Sequence, residues 1–150
     1  RKAKVANWYL DLSRGSQDWG AARTYHHTAP INMNYALREA LRMVQEEELE
    51  PRYARHLANA ELLWAGLEDM DIELHVPRKH RLPTLTTVRV PAGVDDVAVR
   101  KSLLDDYNVE IGGGLGAFKG KVWRVGLMGY TSNRENVTLL LGALRAILGR

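Results

Sequence analysis

The 150 residues are 45% hydrophobic and 26% charged, a balance that supports one or at most two small globular folding units and argues against disorder. Cysteine is absent, which excludes disulfides, thiolate nucleophiles and cysteine zinc sites. The formal charge of +3 is scattered among carboxylates and no apolar run nears the ~18 residues of a membrane span, so neither nucleic acid nor a membrane is expected as a partner.

In chain order, residues 1–20 hold Trp8, Tyr9, Leu10, Leu12 and Trp19 among charges, too short a stretch to bury its own aromatics; it reads as the edge of something larger. From Pro30 onward, Leu37, Leu41 and Val44 recur at i, i+4 and i+7, which predicts an amphipathic helix opened by a proline that has no useful N–H to lose. After the acidic run Glu46 to Glu48, Pro51 can open a second helix with a stripe of Tyr53, Leu57, Ala60, Trp64 and Leu67. Residues 72–76 and 82–90 are rich in β-branched residues and bounded by Pro77, Pro83, Pro91 and Gly93, the pattern of strands. Asp95 or Asp96 can cap a helix carrying Val99, Leu103 and Tyr107.

The alternation in "KVWRVGLMGY" puts Val122, Arg124 and Gly126 on one face of a strand and Trp123, Val125 and Leu127 on the other. A capping box Ser132-x-x-Glu135 then predicts a last helix with Val137, Leu140, Leu141, Leu144 and Leu148 inward. The second half is thus expected to be a small α+β unit, a mixed sheet with helices on one side.

Two clusters carry chemistry. In "RTYHHTAP" the adjacent histidines cannot both serve one metal from a regular strand, and no carboxylate spacing supports a metal site. Tyr25 and Thr28, by contrast, bring two hydroxyls to a helix N-terminus, a setting that suits the oxygens of a phosphate; equally, Thr28 can cap the helix while Tyr25 packs in a core. Arg124, mid-strand between apolar and small neighbours, is either an anchor for a carboxylate, whose two oxygens match its planar fork, or one half of an internal ion pair. The run "GGGLG" lacks the GxxxxGK[ST] frame and reads as a turn that needs the freedom and slimness of glycine. Lys119 and Lys121 after it have no apolar surroundings to lower an ammonium pKa, and no GxSxG elbow supports a hydrolase.

With "WYLDLS", "RTYHHTAPINMNYALREAL", "LTTVRVPAGVDD", "IGGGLGAFKGKVWRVGLMGY" and "RENVTLLLGAL" in this order, the chain resembles the C-terminal part of the alanine–glyoxylate (serine–pyruvate) aminotransferases, class V of the pyridoxal-phosphate enzymes. The resemblance implies a fold-type I α/β architecture. Residues 1–29 would end the large cofactor-binding domain, 30–70 would form the connecting helices, and 71–150 would form the small C-terminal domain. It implies pyridoxal 5′-phosphate as cofactor, small amino and keto acids as substrates and a homodimer. Tyr25 and Thr28 would bind the phosphate of the cofactor held by the neighbouring subunit, and Arg124 in "WRVGL" the substrate carboxylate. The family's Schiff-base lysine lies upstream of the matched region, so no catalytic residue is expected within these 150 and the chain alone is expected to be inactive. A non-catalytic dimerisation or interaction module, and one subunit of a split aminotransferase, stand as the alternatives. A cytoplasmic location is expected, or a peroxisome or mitochondrion in a eukaryote, with neither a secretory signal nor an SKL-type address at the ends.

Overall fold

The structure, a computed structural model, describes residues 5–21 and 23–150; residues 1–4 and Ala22, within the segment 1–29, lie outside the described residues. The chain divides into two compact units, one up to Glu46 and one from Glu47 to Arg150.

In the first unit, helix α1 (Leu12–Trp19) is capped by Asp11, whose carboxylate accepts from the Ser13 N–H at 3.1 Å. No apolar period predicts this helix. Its chain returns through a backbone bond from the Thr24 N–H to the Gln17 carbonyl. Trp8 then stacks on His26 at 4.1 Å and Tyr9 on His27 at 4.4 Å. Helix α2 (Ile31–Glu47) forms where the 3.6-residue period predicts it, yet none of its residues is buried, and Leu37 and Leu41 stay exposed.

The second unit starts at a break. Glu48 adopts a left-handed φ of 65°, which ends α2, and helix α3 (Leu49–Glu68) takes Pro51 into its first turn, where no intrahelical N–H is missed. The buried face of α3 is His56, Asn59, Ala60, Leu63, Trp64 and Leu67. The expected stripe is therefore corrected at its start: Tyr53 and Leu57 are exposed, because the first half of α3 turns a polar edge inward.

Strand β1 (Leu85–Arg89), helix α4 (Asp96–Tyr107), the two-residue strand β2 (Gly112–Gly113), strand β3 (Val122–Gly126) and helix α5 (Arg134–Leu148) follow. Asp95 caps α4, accepting from the N–H groups of Val97 and Ala98. The strand order is β1-β3-β2 with both pairs antiparallel, so the sheet is not mixed at any neighbouring pair. The physical reason is that β3 inserts between β1 and β2: those two run the same way, joined through α4, but never touch. Of the expected strand 72–76, the chain contributes a single bridge from Leu74 to Val88 and backbone bonds at Glu73 and His75.

Trp123, Val125, Thr86 and Val88 form the inward face of the sheet and meet Leu63, Leu67, Leu103 and Leu144 from the helices. Each of the buried valines and leucines contributes about 1.5–3 kcal/mol relative to exposure. α3 and α5 approach so closely that a Cβ on Gly66 would lie 2.8 Å from Leu141 Cδ2. The capping box expected at Ser132 is not formed. Asn133 caps α5 instead, accepting from the Asn136 N–H, and Ser132 is fully buried. Among the described residues no helix is long and apolar enough to cross a membrane.

Candidate functional site

Tyr25 and Thr28 meet: the phenol oxygen lies 2.8 Å from the threonine hydroxyl. Tyr25 is 71% exposed and Thr28 is exposed as well, so Tyr25 is not a core residue and the Thr28 hydroxyl is directed to its neighbour rather than to an N–H of α2. Two touching hydroxyls share one proton between them and leave a second O–H and several lone pairs free. A phosphate oxygen fits such a pair, since it only accepts and each hydroxyl can rotate to donate. The histidines between them pack on the aromatics of the preceding segment: His26 is buried against Trp8, and its Nδ1 lies 2.6 Å from Nδ1 of His27.

Arg124 occupies the middle of the central strand, opposite Thr87 of β1 on one side and Gly112 of β2 on the other, on the sheet face turned away from the helices. It is half-buried. Its Nε donates to the Gly113 carbonyl at 2.8 Å, and no carboxylate forms an ion pair with it among the described residues. The internal ion pair belongs to a different arginine. Arg100 of α4 holds Asp96 through Nε at 2.8 Å and Nη2 at 3.1 Å, and the Trp123 indole N–H donates to the same carboxylate at 2.9 Å. The Arg100 hydrogen bonds keep the Asp96 carboxyl below the usual carboxylate range, and Asp96 in turn raises Arg100.

The glycine run explains why both arginines fit. A Cβ on Gly112 would stand 3.1 Å from Arg124 Nη2, and one on Gly113 would stand 3.2 Å from Arg100 Cζ, on the opposite face. Gly114 passes tightly against the Phe118 carbonyl, and Gly116 turns with a φ of 54°. The expected turn is corrected at its start: Gly112 and Gly113 pair with β3 as strand β2, where they leave two slots for guanidinium groups, and the chain turns only from Gly114 onward. Lys119 and Lys121 beyond it are exposed.

Sequence reasoning missed one polar constellation. His56, Asn59 and Arg55 of α3 reach the turn that follows β3: the Gly129 N–H donates to His56 Nε2 at 3.1 Å, Arg55 donates to the carbonyls of Gly129 and Ser132, and Asn59 donates to the Ser132 carbonyl at 2.9 Å. The signal was present as polar residues at positions 56 and 59, in helical phase with Ala60 and Leu63. Glu47 orients this edge by accepting from Arg55 and from Arg52, and the Arg55 hydrogen bonds lower its carboxyl to about 2.

Over 99% of its length the chain superposes on an alanine–glyoxylate aminotransferase from Nostoc sp. with 55% identity and a TM-score of 0.92, covering 39% of that protein. A ureidoglycine–glyoxylate aminotransferase from Bacillus subtilis superposes with 39% identity and a TM-score of 0.93, again with 39% of that chain covered. In sequence it is 41% identical over 152 residues to the alanine–glyoxylate aminotransferase of Callithrix jacchus, 99% of this chain against 37% of that protein. No protein-family model matches. The chain therefore spans somewhat over a third of the length of the relatives it matches.

Proposed function

Since the chain belongs to the alanine–glyoxylate aminotransferase family, we propose that it is part of a pyridoxal 5′-phosphate-dependent transaminase. That enzyme moves an amino group from alanine or serine to glyoxylate or a pyruvate-like keto acid. The observation that carries this reading is Arg124, a half-buried cation with no carboxylate partner on an open sheet face among the described residues. Because its Nε is engaged by Gly113, the free part of the fork is the Nη1 and Nη2 end. A carboxylate meeting that end makes two parallel charge-assisted hydrogen bonds. An amino or keto acid held there has its nitrogen or carbonyl carbon at a fixed place, which converts binding energy into orientation.

The exposed hydroxyl pair of Tyr25 and Thr28 supports the cofactor assignment: both donate to phosphate oxygens, in the homodimer to the cofactor held by the neighbouring subunit. Pyridoxal phosphate, when bound, supplies the electron sink for amino transfer. The chain's own residues bind and orient. On this reading residues 1–29 belong to the large domain, 30–70 to the connecting helices and 71–150 to the small domain, and the 150 residues by themselves do not transaminate. In the whole enzyme, Tyr25→Phe with Thr28→Val is expected to weaken cofactor retention on dialysis by about tenfold or more, two hydrogen bonds to a charged group being lost. Parent-like retention would remove the phosphate assignment.

A second reading, an interaction module without catalysis, is favoured by one observation: α2 buries nothing, and Trp19 and Met33 are 85% and 71% exposed. Sizing of the isolated chain with and without pyridoxal phosphate separates the two. A cofactor-independent oligomer with no affinity for the cofactor supports the module.

A further inference from the structure

The polar contacts between α3 and the turn after β3 form a closed set. His56, Asn59 and Ser132 are buried, at 7%, 8% and 0% exposure. His56 can satisfy both of its neighbours in one tautomer only. Nε2 must offer its lone pair to the Gly129 N–H, so the proton sits on Nδ1 and is donated to the Arg52 carbonyl at 2.7 Å. Asn59 reaches both the carbonyl and, at 3.3 Å, the hydroxyl of Ser132, while Arg55, braced by Glu47, ties the carbonyls of Gly129 and Ser132 together. Gly129 itself turns with a left-handed φ of 61°, and a Cβ there would stand 3.4 Å from Arg52 Nη2. An apolar contact between a helix and a turn would stabilise the fold without any of this; a set of directional hydrogen bonds to the backbone of the turn instead selects one conformation of it.

That conformation matters for what stands beside Arg124. Residues 124, 126 and 128 follow one another along the open side of β3 and its exit. Gly126 is exposed there, and a Cβ on it would lie 3.4 Å from the Met128 methyl group, so Met128 folds back over the glycine, whose position on the strand is two residues from Arg124 on the same face. The Met128 backbone is one residue from the clamped Gly129, and its carbonyl accepts from the Thr131 hydroxyl inside the same turn.

We infer that His56, with Asn59 and Arg55, is a positioning residue that locks the Gly129–Ser132 turn and thereby fixes the backbone that carries Met128, whose side chain forms a wall on the Arg124 side of the strand that selects acids with small side chains. This rests on the reading of Arg124 as the carboxylate anchor. The hydrogen-bonded turn holds the backbone of the methionine in place, and a wall with a fixed base discriminates by size more sharply than one whose base can shift.

The test uses the whole aminotransferase with glyoxylate as acceptor and compares alanine with norvaline as donors. His56→Phe removes both hydrogen bonds. It is expected to narrow the preference in kcat/KM for alanine over norvaline by about tenfold, through KM and with kcat little changed, while His56→Gln, whose amide oxygen accepts from the Gly129 N–H, restores most of the preference. A His56→Phe enzyme with parent-like circular dichroism and an unaltered preference overturns the inference. If that variant does not fold, Met128→Ala decides: a gain for norvaline relative to alanine of about tenfold supports the wall, and an unchanged ratio overturns it. Arg124→Ala, run alongside, separates the two layers, since it should raise KM for both donors alike. If it does not, the anchor reading fails, whatever the selectivity variants do.

Discussion

Gly114 gives the sharpest structural prediction. An added Cβ would lie 2.5 Å from the carbonyl carbon of Phe118 and closer still to its oxygen, with Val122 Cγ2 at 3.0 Å. Ordinary contact requires about 3.5 Å, so Gly114→Ala must drive the two legs of the loop apart by roughly 1 Å. The obstacle is backbone and has no rotamer to escape into. The cost therefore belongs at the top of the range for overpacking, about 3 kcal/mol. Strand β2 has only two residues to absorb the movement, so its pairing with β3 opens, and the Gly113 carbonyl that holds Arg124 Nε moves with it. Thermal unfolding followed by circular dichroism should show a Tm lowered by about 10–20 °C for a unit of this size. A Gly114→Ala protein within about 0.5 kcal/mol of the parent would refute the reasoning, because no relaxed loop of the same topology could then be as tight as described.

Gly142 lies inside α5 with nothing near its missing Cβ, so Gly142→Ala should stabilise by about 0.5–1 kcal/mol in the same assay; a loss would mean that the outer face of α5 is occupied. Glu47, lowered to about 2 chiefly by Arg55, and Asp96, lowered chiefly by Arg100, both titrate below their unfolded values of about 4.3 and 3.9. Their contribution to stability is whole above about pH 5 and is lost as acid protonates them, so urea midpoints should fall from about pH 4.5 down to pH 2, and Glu47→Gln should flatten part of that slope. Leu103, fully buried, should cost about 2–5 kcal/mol as Leu103→Ala, read from the urea midpoint, with a parent-like midpoint contradicting its place in the core.

What was legible in the sequence was whatever a local period or a single side chain decides. Helix α2, the Asp95 cap and the alternation that puts Trp123, Val125 and Leu127 on one face need no distant partner to be read. What was not legible depends on long-range neighbours. Ser132 has the right spacing to Glu135 for a capping box, but Asn59 and Arg55, more than seventy residues earlier, claim it, and Asn133 takes the cap. Tyr53 and Leu57 sit in phase with Trp64 yet stay exposed, because the edge of α3 that faces the turn after β3 is made of His56 and Asn59. The antiparallel sheet follows from β3 inserting between strands joined by a helix, an order no strand pattern encodes. Of the site, the residue types at 25, 28 and 124 were readable. Arg100 finds its acid one helical turn back on α4, at Asp96, while Arg124 in the middle of β3 has only the Gly113 carbonyl, a difference set by the strand order rather than by the residues beside it.

The most direct measurement is steady-state kinetics of Arg124→Ala in the whole enzyme with alanine and glyoxylate. Loss of a two-pronged, charge-assisted grip should raise KM for the amino acid by about 100-fold, with cofactor content unchanged. A variant that keeps the parent's KM for every carboxylate-bearing substrate would show that the free guanidinium on this sheet is not where the acid is held.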